Sequence, residues 1–156
     1  MNIKNNILEL GKNAKKASIE MKLLSNDQKN QALSNLIKNI STNKEKILEA
    51  NNIDLENGKK KSLSNPLINR LTLTKKSIDG LIKSIEDIIT IPDPIGLTLE
   101  KWERPNGLKF RKISTPLGVL GVIYESRPNV TVDASCLSIK SGNCIILRGG
   151  SDSFYS

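Results

Sequence analysis

Histidine is absent from the 156 residues, and that gap removes several kinds of chemistry. Without an imidazole the chain cannot assemble a Ser-His-Asp or Cys-His nucleophile, a His-ligated zinc site or an imidazole general base. No metal site is expected. Aromatic residues make up only 3% of the chain, so Ile and Leu must carry the packing of any core. The same scarcity argues against nucleic acid as a partner, because single strands are held largely by stacking on aromatic rings. There is no GxGxxG and no GxxxxGK followed by Ser or Thr, which excludes the ordinary dinucleotide fingerprint and the P-loop. Long apolar runs are missing too. The longest, residues 119–124, is far too short to cross a bilayer, and the opening Met1-Asn2-Ile3-Lys4 shows no apolar core of signal-peptide length. A cytoplasmic protein with no membrane partner is the expectation. In that compartment Cys136 and Cys144 read as reduced, buried thiols, not as a disulfide.

What remains is a chain long enough for one compact domain, with 37% hydrophobic and 26% charged residues. Its net charge of +8 would favour a polyanion, including a phosphorylated cofactor. The Lys residues are interspersed with Glu and Asp along amphipathic stretches, so they read as solvated helix faces instead of a binding surface.

Periodicity then orders the chain. From Ile3 onward, Ile7, Leu10, Ala14, Ala17, Met21 and Leu24 recur at steps of four and three, the stripe of a core-facing helix. Ser25 with Gln28 forms a capping-box pattern before a second helix, whose face is Ala32, Leu33, Leu36, Ile37 and Ile40. Thr42 with Glu45 repeats the pattern before Ile47, Leu48 and Ala50. That helix is expected to dissolve at Asn51-Asn52 into an exposed connection through Lys59, Lys60 and Lys61. Thr74 caps another helix, with Ile78, Leu81, Ile82, Ile85, Ile88 and Ile89 on its buried side, and Pro92-Asp93-Pro94 ends it. Residues 97–104 and 108–114 read as two strands around Pro105-Asn106-Gly107, where Asn-Gly would supply the positive φ angles of a tight hairpin. Residues 117–124 form a buried strand, 129–141 a helix rich in small residues, and 144–147 a second buried strand. Strand, helix and strand imply a crossover and a parallel sheet. Gly118 and Gly121 inside the first strand suggest close backbone packing.

Ligands of such sheets bind at the carboxyl ends of the strands, here residues 124–128 and 148–151. At the first end, polar residues gather where Pro128 opens a helix and backbone N–H groups are available to an anion. At the second, Arg148 emerges beside Gly149 and Gly150, which let a ligand approach the backbone.

These two ends also carry a resemblance. YESRPNVT at 124–131 and SGNCIILRGGSD at 141–152, with NRLTLTKKSIDGL and IPDPIG upstream, resemble gamma-glutamyl phosphate reductase, or glutamate-5-semialdehyde dehydrogenase, of the aldehyde dehydrogenase superfamily. The resemblance implies an α/β fold with an N-terminal helical layer (1–96), an oligomerisation hairpin (97–115) and the first βαβ unit of a Rossmann-like NADP-binding sheet (116–156). It implies NADPH-dependent reduction of L-glutamyl 5-phosphate to L-glutamate 5-semialdehyde with phosphate release, in proline biosynthesis. A homo-oligomer and contact with glutamate 5-kinase are implied partners. By similarity Tyr124, Glu125 and Ser126 would line the nicotinamide nucleotide. Arg148 and Gly149 would meet the adenosine ribose and its 2′-phosphate, and Asn129 would hold the substrate carbonyl oxygen. The family's nucleophilic Cys lies further along, in a catalytic domain, and neither Cys136 nor Cys144 is expected to replace it. The chain alone is therefore expected to be inactive. The alternative is a non-catalytic fragment that binds cofactor or a subunit.

Overall fold

The computed structural model describes residues 3–156, so the expectation placed on Met1 and Asn2 lies outside the described residues. Six helices and four strands follow one another: α1 (Ile3–Met21), α2 (Asn26–Thr42), α3 (Lys44–Lys60), α4 (Asn65–Leu71), α5 (Lys75–Thr90), β1 (Thr98–Glu103), β2 (Lys109–Ile113), β3 (Val119–Ile123), α6 (Pro128–Lys140) and β4 (Cys144–Arg148). The fold is a mixed, mostly helical α/β arrangement with one small antiparallel and one small parallel sheet.

Local chemistry sets the helix starts. Ser25 Oγ accepts from Gln28 N while Gln28 Oε1 accepts from Ser25 N, and Thr74 and Ser77 make the same reciprocal pair ahead of α5. The core lies among α2, α5 and α6, where Leu33, Ile40, Ile78, Ile85, Ile88 and Cys136 are buried together. No aromatic ring joins them, so each aliphatic side chain contributes the usual ~1.5–3 kcal/mol of burial. Ala32 stays exposed, at the margin of the α2 face.

Two helices depart from their sequence pattern. In α1, Ala14 and Met21 of the expected stripe are half-buried, as is Leu24 just beyond the helix, but Ile7, Leu10 and Ala17 are exposed and the buried position is Ser18. α1 packs along β3 and β4; two strands cover only its later turns, and residues 3–10 overhang. In α3, Thr42 makes no cap and the helix does not stop at Asn51 but runs on to Lys60. Asn51 and Asp54 face inward. Asn51 donates to Leu71 O at 2.9 Å and accepts from Leu73 N at 2.8 Å. Asp54 accepts from Tyr155 N at 3.1 Å and Ser156 N at 2.9 Å. Residues that favour turns when their side chains bond locally are here taken up by distant backbone, which leaves the helix ladder intact. Lys59 and Lys60 then sit in its last turn, where the helix dipole favours cations.

A buried ionic cluster ties α2 to the segment that leads into the β1-β2 hairpin, and α6 to α2 and α5. Lys29, only 1% exposed, gives both oxygens of Asp93 hydrogen bonds of 2.8 and 2.7 Å. Lys140 donates to Asn26, Asn30 and the Ile89 carbonyl at 3.0, 2.7 and 3.1 Å. Burial by itself would raise the Asp93 carboxyl, yet the hydrogen bonds from Lys29 and Ile95 N–H and the charges of Lys29 and Lys140 bring it below its ordinary value. Burial lowers Lys140, against the pull of Asp93.

The hairpin pairs Glu103 with Lys109 and Trp102 with Phe110, whose rings stack at 5.3 Å. Only Gly107 takes a positive φ, +83°; Asn106 does not. Gly107 N donates to Arg104 O, and Arg104 N to Leu108 O, the three-residue loop with a glycine bulge and not the tight Asn-Gly turn. Beyond it, β3 and β4 pair in parallel from Val119 opposite Cys144 to Ile123 opposite Arg148. Both strands were expected to be buried. They are half-buried, and Ile123 is 83% exposed, because a sheet of two strands has two edges and no interior strand. A Cβ on Gly118 or Gly121 would meet nothing within 4 Å, so close packing is not their role; Gly118 is needed for its φ of +115°.

Candidate functional site

The carboxyl ends of β3 and β4 lie side by side. Tyr124 N donates to Arg148 O at 3.1 Å, which carries the ladder one residue past Ile123. The chain then turns, with Arg127 N on Glu125 O at 2.7 Å, and Pro128 opens α6. After β4 the glycines make room for this turn. A Cβ on Gly149 would lie 3.2 Å from the Tyr124 hydroxyl, and one on Gly150 only 2.4 Å from Ser126 Oγ and 3.0 Å from Ser126 N. The glycines expected to admit a ligand thus first admit the facing tip. The Tyr124 hydroxyl is fixed by Thr131 Oγ1 on the first turns of α6.

A cleft of about 330 Å³ opens between these tips and α4. Leu63, Leu67 and Leu71 form its apolar side; Ser126, Gly150 and Ser151 form its polar side. Two ion pairs frame it. Arg70 Nη1 meets Glu125 Oε2 at 2.9 Å, and Lys61 Nζ meets Asp152 Oδ1 at 2.9 Å. Since water reaches both pairs, each is easily rearranged.

Of the residues singled out in the sequence, Tyr124, Glu125, Ser126 and Gly149 are brought together. Arg148 shares their backbone ladder, but its guanidinium donates to the neighbouring Gly149 carbonyl at 2.9 Å at the exposed end of β4. Asn129 stands in the first turn of α6; its amide donates to Asp133 one turn on, at 3.3 Å, and does not cap the helix. Sequence reasoning missed α4 and with it Arg70. The chain carried no signal for its pairing with Glu125 beyond the positive charge in a short amphipathic stretch.

Neither thiol is poised for attack. Burial, aided by the charge of Asp133, pushes Cys136 up to about 11, and burial raises Cys144 as well. Such thiols are protonated near neutral pH and are weak nucleophiles.

No family model matches the chain. Individual relatives do. Gamma-glutamyl phosphate reductase of Thermodesulfovibrio yellowstonii is 45% identical over 156 residues, which is 100% of this chain and 37% of the relative. That of Brucella suis is 47% identical over 148 residues, 95% of this chain and 35% of the relative. The chain matches an N-terminal portion of the gamma-glutamyl phosphate reductase family. Solved structures agree. The gamma-glutamyl phosphate reductase of Thermotoga maritima superposes with a TM-score of 0.90 at 40% identity, over 94% of this chain and 35% of that one. The Saccharomyces cerevisiae gamma-glutamyl phosphate reductase superposes with a TM-score of 0.91 at 37% identity, over 94% and 38%. The chain thus spans little more than a third of the length of the reductases it matches. Among the described residues no helix is long and apolar enough to cross a membrane, and no cluster of three potential metal ligands occurs.

Proposed function

We propose that this chain forms the cofactor-facing portion of an NADPH-dependent reductase that converts L-glutamyl 5-phosphate to L-glutamate 5-semialdehyde with release of phosphate, in proline biosynthesis. The observation that carries this is the meeting of the two strand tips, with Gly150 against Ser126, beside a cleft with one apolar and one polar side. Such a juncture at the carboxyl ends of parallel strands is where a nucleotide is held.

The chain's own residues fit that task. Tyr124, Glu125 and Ser126 line the nicotinamide nucleotide, Ser126 from within the cleft wall and Tyr124 locked by Thr131. Arg148 and Gly149 meet the adenosine ribose and its 2′-phosphate; the Arg148 side chain must leave the Gly149 carbonyl to do so. Asn129 swings from Asp133 to hold the substrate oxygen as charge develops on it. NADPH, when bound, would supply the hydride that reduces the acyl carbon. Attack on that carbon needs a thiolate, which the buried Cys136 and the half-buried Cys144, both protonated, do not provide. The chain alone is accordingly inactive.

NADPH titrated into 15N-labelled protein is expected to shift the amides of Glu125, Ser126, Gly149 and Gly150. Glutamate semialdehyde, phosphate and NADP mixed with the same protein are expected to give no NADPH absorbance. Shifts confined to other segments would defeat the cofactor assignment, and turnover above background would show that one of the two thiols is the nucleophile.

A further inference from the structure

Among the described residues, Arg70 is the only cation that lines the cleft. It reaches the strand tips from the last turn of α4, 55 residues away in sequence from Glu125, and gives that carboxylate a single hydrogen bond of 2.9 Å. A guanidinium is a fork that can give a phosphate or carboxylate two parallel bonds, so this contact uses only part of its capacity. The other acid of the cleft, Asp152, is already held by Lys61. Arg70 and Glu125 are therefore the pair whose separation would change the charge presented to a ligand.

Both partners are well exposed, Arg70 at 45% and Glu125 at 70%. An ion pair so open to water holds weakly and is displaced at small cost. Beside it, Ser126 Oγ and the glycine backbone at Gly150 offer neutral polar groups, and Leu63 and Leu67 offer an apolar wall suited to a sugar or base. We infer that Arg70 binds the phosphate of a phosphorylated ligand entering this cleft, and that Glu125 is the anion it holds until the ligand arrives. The shared chemistry is a dianionic phosphate group, borne either by the ribose of a 2′-phosphorylated dinucleotide or by a phosphorylated acyl substrate. This inference rests on the function proposed above and adds to it a second cation besides Arg148.

The test is an NMR titration of the parent chain, Arg70→Gln, Arg70→Lys and Glu125→Gln with adenosine 2′-monophosphate, adenosine 5′-monophosphate and inorganic phosphate. Circular dichroism melts confirm that each variant is folded, and Arg70→Lys keeps the charge should Arg70→Gln fail to fold. Loss of Arg70 is expected to weaken the bound phosphate probe about tenfold, as for loss of a hydrogen bond to a charged group. Arg70→Lys should fall between. Glu125→Gln, which frees the guanidinium, should tighten the probe about two- to fivefold. Preference for the 2′-monophosphate over the 5′ isomer would place the cofactor phosphate at Arg70; equal or better binding of inorganic phosphate would place the substrate phosphate there. If the parent bound a probe and Arg70→Gln bound it equally, or Glu125→Gln bound it more weakly, the role of Arg70 would be overturned while the cofactor assignment stood. If the parent bound none of the three, both would fall.

Discussion

Asp93→Asn should destabilise the protein by about 3–5 kcal/mol, read as a fall in the urea midpoint with unchanged slope. The magnitude follows from what is left behind. Lys29 is 1% exposed and both its hydrogen bonds to a side chain end on Asp93, so the amide would leave a buried ammonium without its counter-charge. Against a total stability of about 5–15 kcal/mol for a domain of this size, such a loss would remove a large share of the folding free energy. A double variant, Lys29→Met with Asp93→Asn, should recover most of it, since removing both partners costs far less than orphaning one. The pair also sets a pH dependence. Because the folded Asp93 carboxyl lies below its ordinary value of 3.8, its stabilisation is whole above that value and is lost as acid carries the pH down through the folded one. Asp93→Asn should abolish that part of the acid sensitivity. If the single variant melted with the parent, the buried pair would not be what anchors the hairpin's base to the helices.

The second large effect concerns reactivity. At pH 7.5, Cys136 in the native protein should react with iodoacetamide at least about a hundredfold more slowly than a free cysteine. Raising the thiol from 9.0 to about 11 cuts its thiolate fraction by that factor, and burial in the core slows access further. Mass spectrometry of partly labelled protein should find Cys144 modified first, since it is only half-buried. Labelling of Cys136 at the rate of free cysteine would mean that the helix opens readily, and would return that thiol to consideration as a nucleophile.

The parts of this molecule that were legible in its sequence are those governed by neighbours along the chain. The Ser25 and Thr74 caps depend on residues three places on, and the α5 stripe depends on a repeat of three and four. The strand, helix and strand of the parallel unit stood out because apolar runs were broken by Pro128 and by Gly142. From these the meeting of residues 124–126 with 148–150 followed. What was hidden depends on pairs far apart in the chain. Lys29 finds Asp93 across 64 residues and Arg70 finds Glu125 across 55. Asn51 looked like a helix breaker, and Asp54 fell in the connection expected after it, because their inward partners, near Leu71 and Ser156, leave no trace in local composition. The overhang of α1 was equally illegible, since its stripe is regular and only the narrowness of the two-stranded sheet leaves half of it uncovered.

The aliphatic core has a practical corollary. The sole tryptophan, Trp102, stands on the hairpin stacked on Phe110, outside the cluster that α2, α5 and α6 bury. Intrinsic emission from this protein is therefore a local gauge of the arm, while ellipticity at 222 nm follows the helices. A mismatch between the two signals would report an arm that loosens independently, and agreement would mean that the Asp93 tether makes arm and helices melt as one cooperative unit.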